Sequence, residues 1–368
     1  MTRYAIPLLT HHPLRLGLTI GGVALCLVLM LFLLSIYSGV ADGSVDYIRQ
    51  SKADLWVLQE NATNILRGTS ILSTAHGNVL RSVSGVRQAS AVLLSLTSIN
   101  RDGRPATIFL TGFDPASNLG GPPSIIQGRT IASDSEIVLD KSFARKFAFA
   151  IGDTVILKDG PARVVGLSTA TNAFVIQYAF ASLRRVQSNI GFSTLVTCYL
   201  ITLEHDARKN EVADAIREEL PGIEVFDHAT FLQNNMHEME SGVLPLLYTI
   251  AAIGAVVLTV ILTLLLSISI LEKRKDFAVL KAIGAPHGFL PRLIAGQALV
   301  ITIAASAVSL AMFFPFVAVV ETLAPEISTQ SSPNHVMFVA GAAVLLGLVS
   351  SFLSAERLRR VYPLESFQ

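Results

Sequence analysis

One stretch of mixed charge, Leu271–Ala285 (LEKRKDFAVLKAIGA), separates two long apolar runs of this chain. The run before it covers residues 243–271, and the run after it covers 293–320. Each exceeds the roughly 20 residues that a helix needs to cross a bilayer. The stretch is therefore expected to join two membrane spans over residues 272–292.

The charged stretch also has the pattern of a short amphipathic helix. Phe277, Leu280 and Ile283 fall on one apolar stripe, and Gly284 and Pro286 end the helix. Such a helix can lie along a membrane surface. The residues alone leave two alternatives open, a helix resting on lipid and a helix that contacts a protein partner.

Two further apolar runs, 16–38 and 336–354, bring the number of predicted spans to four. The composition agrees, with 51% hydrophobic and 15% charged residues and a mean hydropathy of +0.56. The first run is longer than the apolar part of a signal peptide, so we expect an uncleaved anchor. None of the four contains Asp, Glu, Lys or Arg, which argues against an ion-coupled carrier.

The positive-inside rule predicts the orientation. Lys and Arg occur in segments 1–15, 272–292 and 355–368, whereas segment 321–335 has none. The three basic segments fall on one side when the chain crosses four times. Both termini are therefore expected in the cytoplasm, and residues 39–242 outside.

The outer region, 39–242, is long enough for its own core. Segments 91–99 and 106–112 predict a hairpin with Asp-Gly in its turn, and 112–133 predicts a long loop. We expect an α-helical membrane protein with four transmembrane helices plus an α/β extracytoplasmic domain between helices 1 and 2. Other expected elements are strands at 54–59, 136–140, 154–157, 162–167, 195–203 and 223–226, and helices at 141–149 and 206–220.

The last outer segment, 227–241, has helical spacing. It predicts a stalk helix that runs nearly continuously into the second span. A flexible linker is the alternative.

Sequence patterns for catalysis are missing. The chain has no G-x-x-x-x-G-K-[ST] phosphate loop, no H-E-x-x-H zinc motif and no G-x-S-x-G elbow. Cys26 lies in an apolar run and Cys198 in the outer region, so we expect no intrachain disulfide. We therefore expect no enzyme site, no metal and no nucleic-acid contact on this chain.

Small residues in two spans are candidate helix-packing residues. Gly17 and Gly21 form a G-x-x-x-G pair in the first span, and Ala251 and Ala255 form a similar pair in the second. The spacing permits a dimer contact and equally permits packing within one subunit.

The residues 272–285 (EKRKDFAVLKAIGA) resemble the signature of FtsX-like, MacB-type ABC transporter permeases, with Phe277 and Ala278 as mild departures. The order of one span, a large outer domain and three spans is similar to that family, as are segments 136–155 and 359–365. Segment 53–57 (ADLWV) is similar to the DevC-like branch. The resemblance covers essentially the whole chain.

The resemblance implies a transporter subunit of the bacterial plasma (inner) membrane whose ATPase is a separate protein. Two permease chains would pair, each with one cytoplasmic ABC ATPase that binds ATP and Mg, and a periplasmic adaptor is a further expected partner. The ATPase-coupling residues would be Glu272, Lys273, Arg274, Lys275, Asp276, Phe277, Leu280, Lys281, Ala282, Gly284 and Ala285.

The leading hypothesis is thus an export permease that works by mechanotransmission on a small-molecule or lipidic substrate. One alternative is a non-transporting FtsX-type regulator that activates a cell-wall hydrolase. A second is a membrane-anchored binding or sensor protein with no ATPase.

Overall fold

The computed structural model describes residues 13–65, 70–101, 104–117, 119–173, 176–242, 244–272, 289–324 and 333–359. Its helices are α1 (Pro13–Arg49), α2 (His76–Ser82), α3 (Lys141–Lys146), α4 (Leu183–Ile190), α5 (Lys209–Glu219), α6 (His228–Gly242), α7 (Leu244–Glu272), α8 (Phe289–Leu323) and α9 (Pro333–Arg359). Its strands are β1 (Leu55–Gln59), β2 (Leu72–Ser73), β3 (Val86–Arg101), β4 (Arg104–Phe113), β5 (Ser124–Gly128), β6 (Glu136–Asp140), β7 (Thr154–Leu157), β8 (Gly160–Thr169), β9 (Asn172–Ala173), β10 (Ile176–Ser182), β11 (Leu195–Val196), β12 (Cys198–Leu203) and β13 (Ile223–Asp227).

Four of these helices, α1, α7, α8 and α9, are long and apolar enough to cross a membrane. The candidate spans are Leu16–Arg49, Tyr248–Glu272, Pro291–Leu323 and Pro333–Ser354. All the strands fall between the first and second of them. The predicted fold class, four apolar helices with an α/β domain between helices 1 and 2, is confirmed.

The chain divides into two compact units. The membrane unit comprises 1–37, 245–319 and 329–368, and the outer unit comprises 38–244 and 320–328.

The main sheet of the outer unit has the strand order β13-β1-β12-β3-β4-β10-β6-β8-β5. Its 16-residue strand β3 pairs with β12 through its first half, Val86–Val92, and with β4 through its second half, Leu93–Arg101. One continuous strand therefore belongs to both halves of the sheet. The pairs β4–β10 and β6–β8 are parallel, so the sheet is mixed.

Helices cover the sheet where its strands present apolar faces. Against the first half, Val212 and Ile216 of α5 pack in one buried cluster with Leu80 of α2. Against the second half, Phe143 of α3 and Val186 of α4 pack in another. These amphipathic helices cover core strands that are themselves buried.

Short helices begin where side chains cap them. The carboxylate of Asp140 accepts hydrogen bonds from the backbone N–H groups of Ser142 and Phe143 at the start of α3. α3 ends at Lys146, earlier than the predicted 149, because Ala148 adopts φ +52°. A left-handed residue cannot continue the helix.

Several sequence expectations for the outer unit need correction. The hairpin is present but longer than predicted, since β3 and β4 run from 86 to 101 and from 104 to 113. The expected loop 112–133 contains an edge strand, β5. The expected strand 195–203 is divided at Thr197, whose N–H donates to Val92 O while its hydroxyl oxygen accepts from Leu94 N.

The two helices that adjoin the outer strands differ from expectation in one respect. α1 continues to Arg49, past the end of its apolar run at 38, with Val40, Val45 and Ile48 buried. The predicted helix at 227–241 is present as α6, His228–Gly242. Residue 243, on which its continuity with α7 depends, lies outside the described residues.

Candidate functional site: coupling segment, membrane bundle and helix root

The predicted coupling segment begins at the last residue of α7. Glu272 is exposed there, next to the 61% exposed Leu271, and α8 begins at Phe289. The other predicted coupling residues lie outside the described residues, namely Lys273, Arg274, Lys275, Asp276, Phe277, Leu280, Lys281, Ala282, Gly284 and Ala285. The coupling role stays a prediction.

Among the described residues, an apolar cluster joins the helices of the membrane unit. Leu27 of α1, Leu262 of α7, Ile294 of α8 and Ala343 of α9 are almost fully buried in it. The cluster consists of aliphatic, aromatic and Met side chains. Its members pack by van der Waals contact, which is the main source of helix association in lipid.

The two small-residue pairs lie in different surroundings. A Cβ atom added at Gly17 or Gly21 meets no described atom within 4 Å, and the neighbouring Leu14 and Leu18 are 80% and 71% exposed. By contrast, Ala255 packs against the apolar cluster of its own chain. Ala251 is half-buried.

Hydroxyl groups link α9 to α7. Ser354 Oγ donates to the backbone oxygen of Thr263 at 3.2 Å. The Ser350 hydroxyl is shared between Leu346 O of its own helix at 2.8 Å and Thr259 O of α7 at 3.2 Å. Sequence reasoning missed these residues. The sequence does contain a pattern that could have indicated them. The two serines are four residues apart, as are the two threonines, so each pair lies on one face of its helix.

The end of α1 is fixed in the outer unit by Tyr47. Its hydroxyl donates to Gly120 O at 2.8 Å, and its ring stacks on Tyr178 with centroids 5.0 Å apart. Tyr47 is 3% exposed. Burial, a stacked ring and a satisfied hydroxyl together hold this last part of α1 in one position.

The start of α6 is fixed in the same buried cluster as Tyr47. The Phe231 ring stacks on Trp56, with centroids 4.6 Å apart. Asn235, fully buried, accepts a hydrogen bond from Ile65 N at 3.1 Å and donates to Phe231 O at 2.8 Å. We call Tyr47, Trp56, Tyr178, Phe231 and Asn235 the helix root, because there α1 and α6 enter one core.

The titratable groups of the outer unit have structural roles. The Arg129 side chain donates to Glu136 at 2.8 Å and lowers the pKa of that carboxyl to about 2. Burial raises the pKa of Asp140, although Thr171 Oγ1 donates to it at 2.6 Å. Each carboxylate is occupied by partners that stabilise the fold, so neither is placed as a catalytic group.

The described residues include no group of three or more His, Cys, Asp or Glu side chains arranged to hold a metal ion. Cys26 and Cys198 are both unpaired. A cleft of about 390 Å³ lies between α5 and β13. Arg217 in it is already paired, with Asp214 and with Val225 O, both at 2.7 Å.

Two family models match the chain. Residues 16–219 match the MacB-like periplasmic core domain, and residues 248–363 match the FtsX-like permease C-terminal domain. Residues 220–247 separate the two matches. The first match covers the first span and most of the outer region, and the second covers the last three spans.

Relatives agree with the family models. The chain is 24% identical over 367 residues to an uncharacterized ABC transporter permease of Mycobacterium tuberculosis, covering 96% of this chain and 95% of the relative. It is 23% identical over 363 residues to an uncharacterized ABC transporter permease of Mycobacterium bovis, with the same coverage. It is 20% identical over 249 residues to the macrolide export ATP-binding/permease protein MacB of Agrobacterium fabrum, covering 64% of this chain and 38% of that protein.

Among solved structures, the periplasmic region of MacB from Actinobacillus actinomycetemcomitans matches with a TM-score of 0.41 and 16% identity. The match covers 50% of this chain and 94% of that one. Family membership rests on the sequence models and the relatives. The chain belongs to the FtsX-like, MacB-type family of ABC transporter permeases, membrane proteins with an extracytoplasmic domain that associate with an ATP-binding partner.

Proposed function

We propose that this permease converts ATP hydrolysis by a separate cytoplasmic ABC ATPase into movement of its outer domain, and so exports a small-molecule or lipidic substrate. The helix root is the observation that carries the proposal. Tyr47 at the end of α1 and Phe231 at the start of α6 are anchored in one buried cluster. A displacement of either helix is therefore passed to the same core.

In this mechanism the segment that follows Glu272 docks on the ATPase, with both termini in the cytoplasm. The permease acts as a homodimer with two ATPase subunits, which bind ATP and Mg. A periplasmic adaptor would receive the movement outside. The apolar cluster packs helices of the membrane unit against one another, which supports transmission of force between them.

Each step of the mechanism has a physical requirement. The coupling segment must hold the ATPase more tightly in one state of the cycle than in the other, because only differential binding shifts a conformational equilibrium. The helix root must stay intact while the helices move. Its stacked rings and buried amide supply that rigidity.

Co-purification tests the coupling assignment. The full chain is expressed together with the ABC ATPase subunit proposed as its partner. Deleting Lys273–Ala282, or combining Glu272→Ala with Leu280→Ala, is expected to abolish recovery of the ATPase. The matched control is Leu264→Ala, a 50% exposed position on α7, which should recover it at the wild-type level. Normal recovery with the deletion contradicts the coupling assignment.

Folding of the outer unit must be measured on the same samples. Protease resistance of residues 39–242 should be equal in the deletion variant and the wild type, because the deleted residues are distant in sequence. A permease that regulates a cell-wall hydrolase would give a different result in binding and export assays. It would bind the hydrolase through the outer unit in an ATP-dependent manner and would leave the export of every tested small molecule unchanged.

A further inference from the structure

Gln297 places a side-chain amide among the apolar residues of the membrane unit. It lies on α8 and is 2% exposed. Ile294 and Ile301, three residues before it and four after it, belong to the apolar cluster and share its helix face. The Nε2 atom of Gln297 is buried and has no hydrogen-bond partner among the described residues. An amide N–H donor is thus held in apolar surroundings without an acceptor.

Two other buried polar side chains of α8 are paired. Thr302 Oγ1 donates to Ala298 O at 2.9 Å, and Ser309 Oγ donates to Ser306 O at 2.9 Å. A hydroxyl on a helix can reach a carbonyl oxygen of the preceding turn. The amide of a glutamine stands farther from the backbone, so it needs an acceptor outside that turn. Burial of a polar side chain on α8 therefore does not by itself explain the unpaired donor of Gln297.

The unpaired amide makes the described packing less stable than it would be with an acceptor present. A buried donor loses its hydrogen bonds to water, and hydrocarbon offers no replacement. A methionine side chain is also unbranched and of similar length, so it would fill the space without that loss. The described packing alone therefore gives no reason for a glutamine at position 297.

Oxygen acceptors are present on α7, the span on the other side of the coupling segment. Leu266 of α7 belongs to the same apolar cluster as Ile294. Within one turn of Leu266, Thr263 Oγ1 and Ser267 Oγ each donate to a carbonyl oxygen of their own helix, at 2.7 and 2.6 Å. A hydroxyl oxygen that donates one bond keeps its lone pairs for accepting others. An arrangement of the bundle that brings such an oxygen to Gln297 would pair its amide.

Gln297 also lies near the end of α8 that the coupling segment would move. α7 ends at Glu272 and α8 begins at Phe289, so the coupling segment joins these two helices. Gln297 is about two helical turns from Phe289. A displacement of the segment therefore acts on the part of α8 that holds the unpaired amide.

We infer that Gln297 is a positioning residue that gives α8 two arrangements. In the described one its amide is unpaired, and in the second a shift of the start of α8 pairs the amide with an oxygen of a neighbouring span. The inference rests on the proposed function, in which the ATPase moves the coupling segment. The hydrogen bond gained in the second arrangement favours that shift, because only a differential interaction moves such an equilibrium.

The first experiment measures thermal unfolding of the full permease alone, in nanodiscs. Gln297→Met is expected to raise the unfolding midpoint above that of the wild type, because it removes the unpaired donor and keeps the packing. The matched control is Thr302→Val, which removes a buried polar group of α8 that is paired and should not raise the midpoint. An equal or lower midpoint for Gln297→Met contradicts the inference, as does an equal rise in the control.

The second experiment adds the ATPase and follows α8 with spin labels. In a background of Cys26→Ala and Cys198→Ala, labels are placed at Leu264 on α7 and Ile303 on α8, which are 50% and 54% exposed. Arrest of the ATPase with ATP and vanadate is expected to add a second distance between the labels. With Gln297→Met the labels should keep the distance that they have without ATP.

Permease-dependent ATP hydrolysis is measured on the same variants. Gln297→Met is expected to lower it about fivefold or more, the factor that corresponds to the loss of one buried hydrogen bond. Thr302→Val should match the wild type. Unchanged hydrolysis in Gln297→Met, or a second distance equal to that of the wild type, overturns the inference. So does a wild-type permease that stimulates the ATPase with no change in distance.

Failure of the proposed function looks different, because the wild-type permease would then neither bind nor stimulate the ATPase. In that case the thermal comparison on the permease alone still decides whether Gln297 holds an unpaired amide.

Discussion

Tyr47 and Gly120 are joined by a hydrogen bond of 2.8 Å, from the tyrosine hydroxyl to the glycine carbonyl, across 73 positions of sequence. Tyr47 lies near the end of α1, and Gly120 lies in the segment that leads to β5. The bond ties the helix to a part of the outer unit that precedes an edge strand. Through Tyr47, this loop is thereby attached to the helix root.

Replacing Tyr47 with Phe should destabilise the outer unit by about 1 kcal/mol. The ring stack on Tyr178 is retained while the hydroxyl donor is lost, and a typical intramolecular hydrogen bond contributes about that amount. Denaturant unfolding of the full chain in detergent, followed by the intrinsic fluorescence of Trp56, measures the change. Tyr248→Phe, at a 53% exposed position, is the control. Equal midpoints for wild type and Tyr47→Phe would show that the bond contributes nothing.

Stability of the outer unit should fall in acid because of Glu136. Its hydrogen bonds with Arg129 lower its pKa to about 2, so the folded state favours the charged carboxylate. The contribution is complete above the ordinary pKa of a glutamate and is lost as the pH falls from about 4.5 to about 2.

Unfolding midpoints measured across that pH window should separate Glu136→Gln from the wild type. The variant lacks this titration, so its stability should be lower near neutral pH and should depend less on pH in acid. Glu219→Gln, at an exposed position at the end of α5, is the control and should follow the wild type. A wild-type acid slope in Glu136→Gln would exclude this ion pair as the cause.

Leucine at Gly17 and Gly21 should weaken pairing of two permease chains while leaving each chain folded. A Cβ atom added at either position meets no described atom within 4 Å, and the neighbouring Leu14 and Leu18 are exposed, so the monomer should tolerate a leucine there. A second helix packed closely against these glycines would have no room for the leucine side chains, so the dimer contact should be lost. Mass photometry in detergent measures the dimer fraction, and thermal unfolding reports on the fold. A dimer fraction equal to that of the wild type would place the contact elsewhere.

The membrane part was predictable because long apolar runs leave few alternatives. The charged stretch after Leu271 marked the division between α7 and α8 in the sequence itself. The end of α1 was less predictable. Its polar residues after Ser38 look like the end of a span, but Val40, Val45 and Ile48 continue a buried helical face that only the outer core requires.

Within the outer unit, predictions from local sequence patterns were wrong where tertiary contacts determine the secondary structure. Gly121-Pro122-Pro123 favours a loop, yet β5 forms directly after it because β8 offers a pairing edge. β10 was missed because it lies between β4 and β6, with both faces covered, and so lacks the alternation typical of a half-exposed strand. The helix root was unpredictable for a related reason, since its members come from four distant segments.

The 16 residues of β3 have a mechanical consequence. At a rise of about 3.3 Å per residue the strand is about 50 Å long, and its two halves pair with different strands. The ladder with β12 ends at Val92 and the ladder with β4 begins at Leu93, so a bend between these two residues would break neither ladder. Thr197 spans this junction, since its N–H donates to Val92 O and its hydroxyl oxygen accepts from Leu94 N. Thr197 therefore acts as a brace at the point where the two halves of the sheet could otherwise bend against each other.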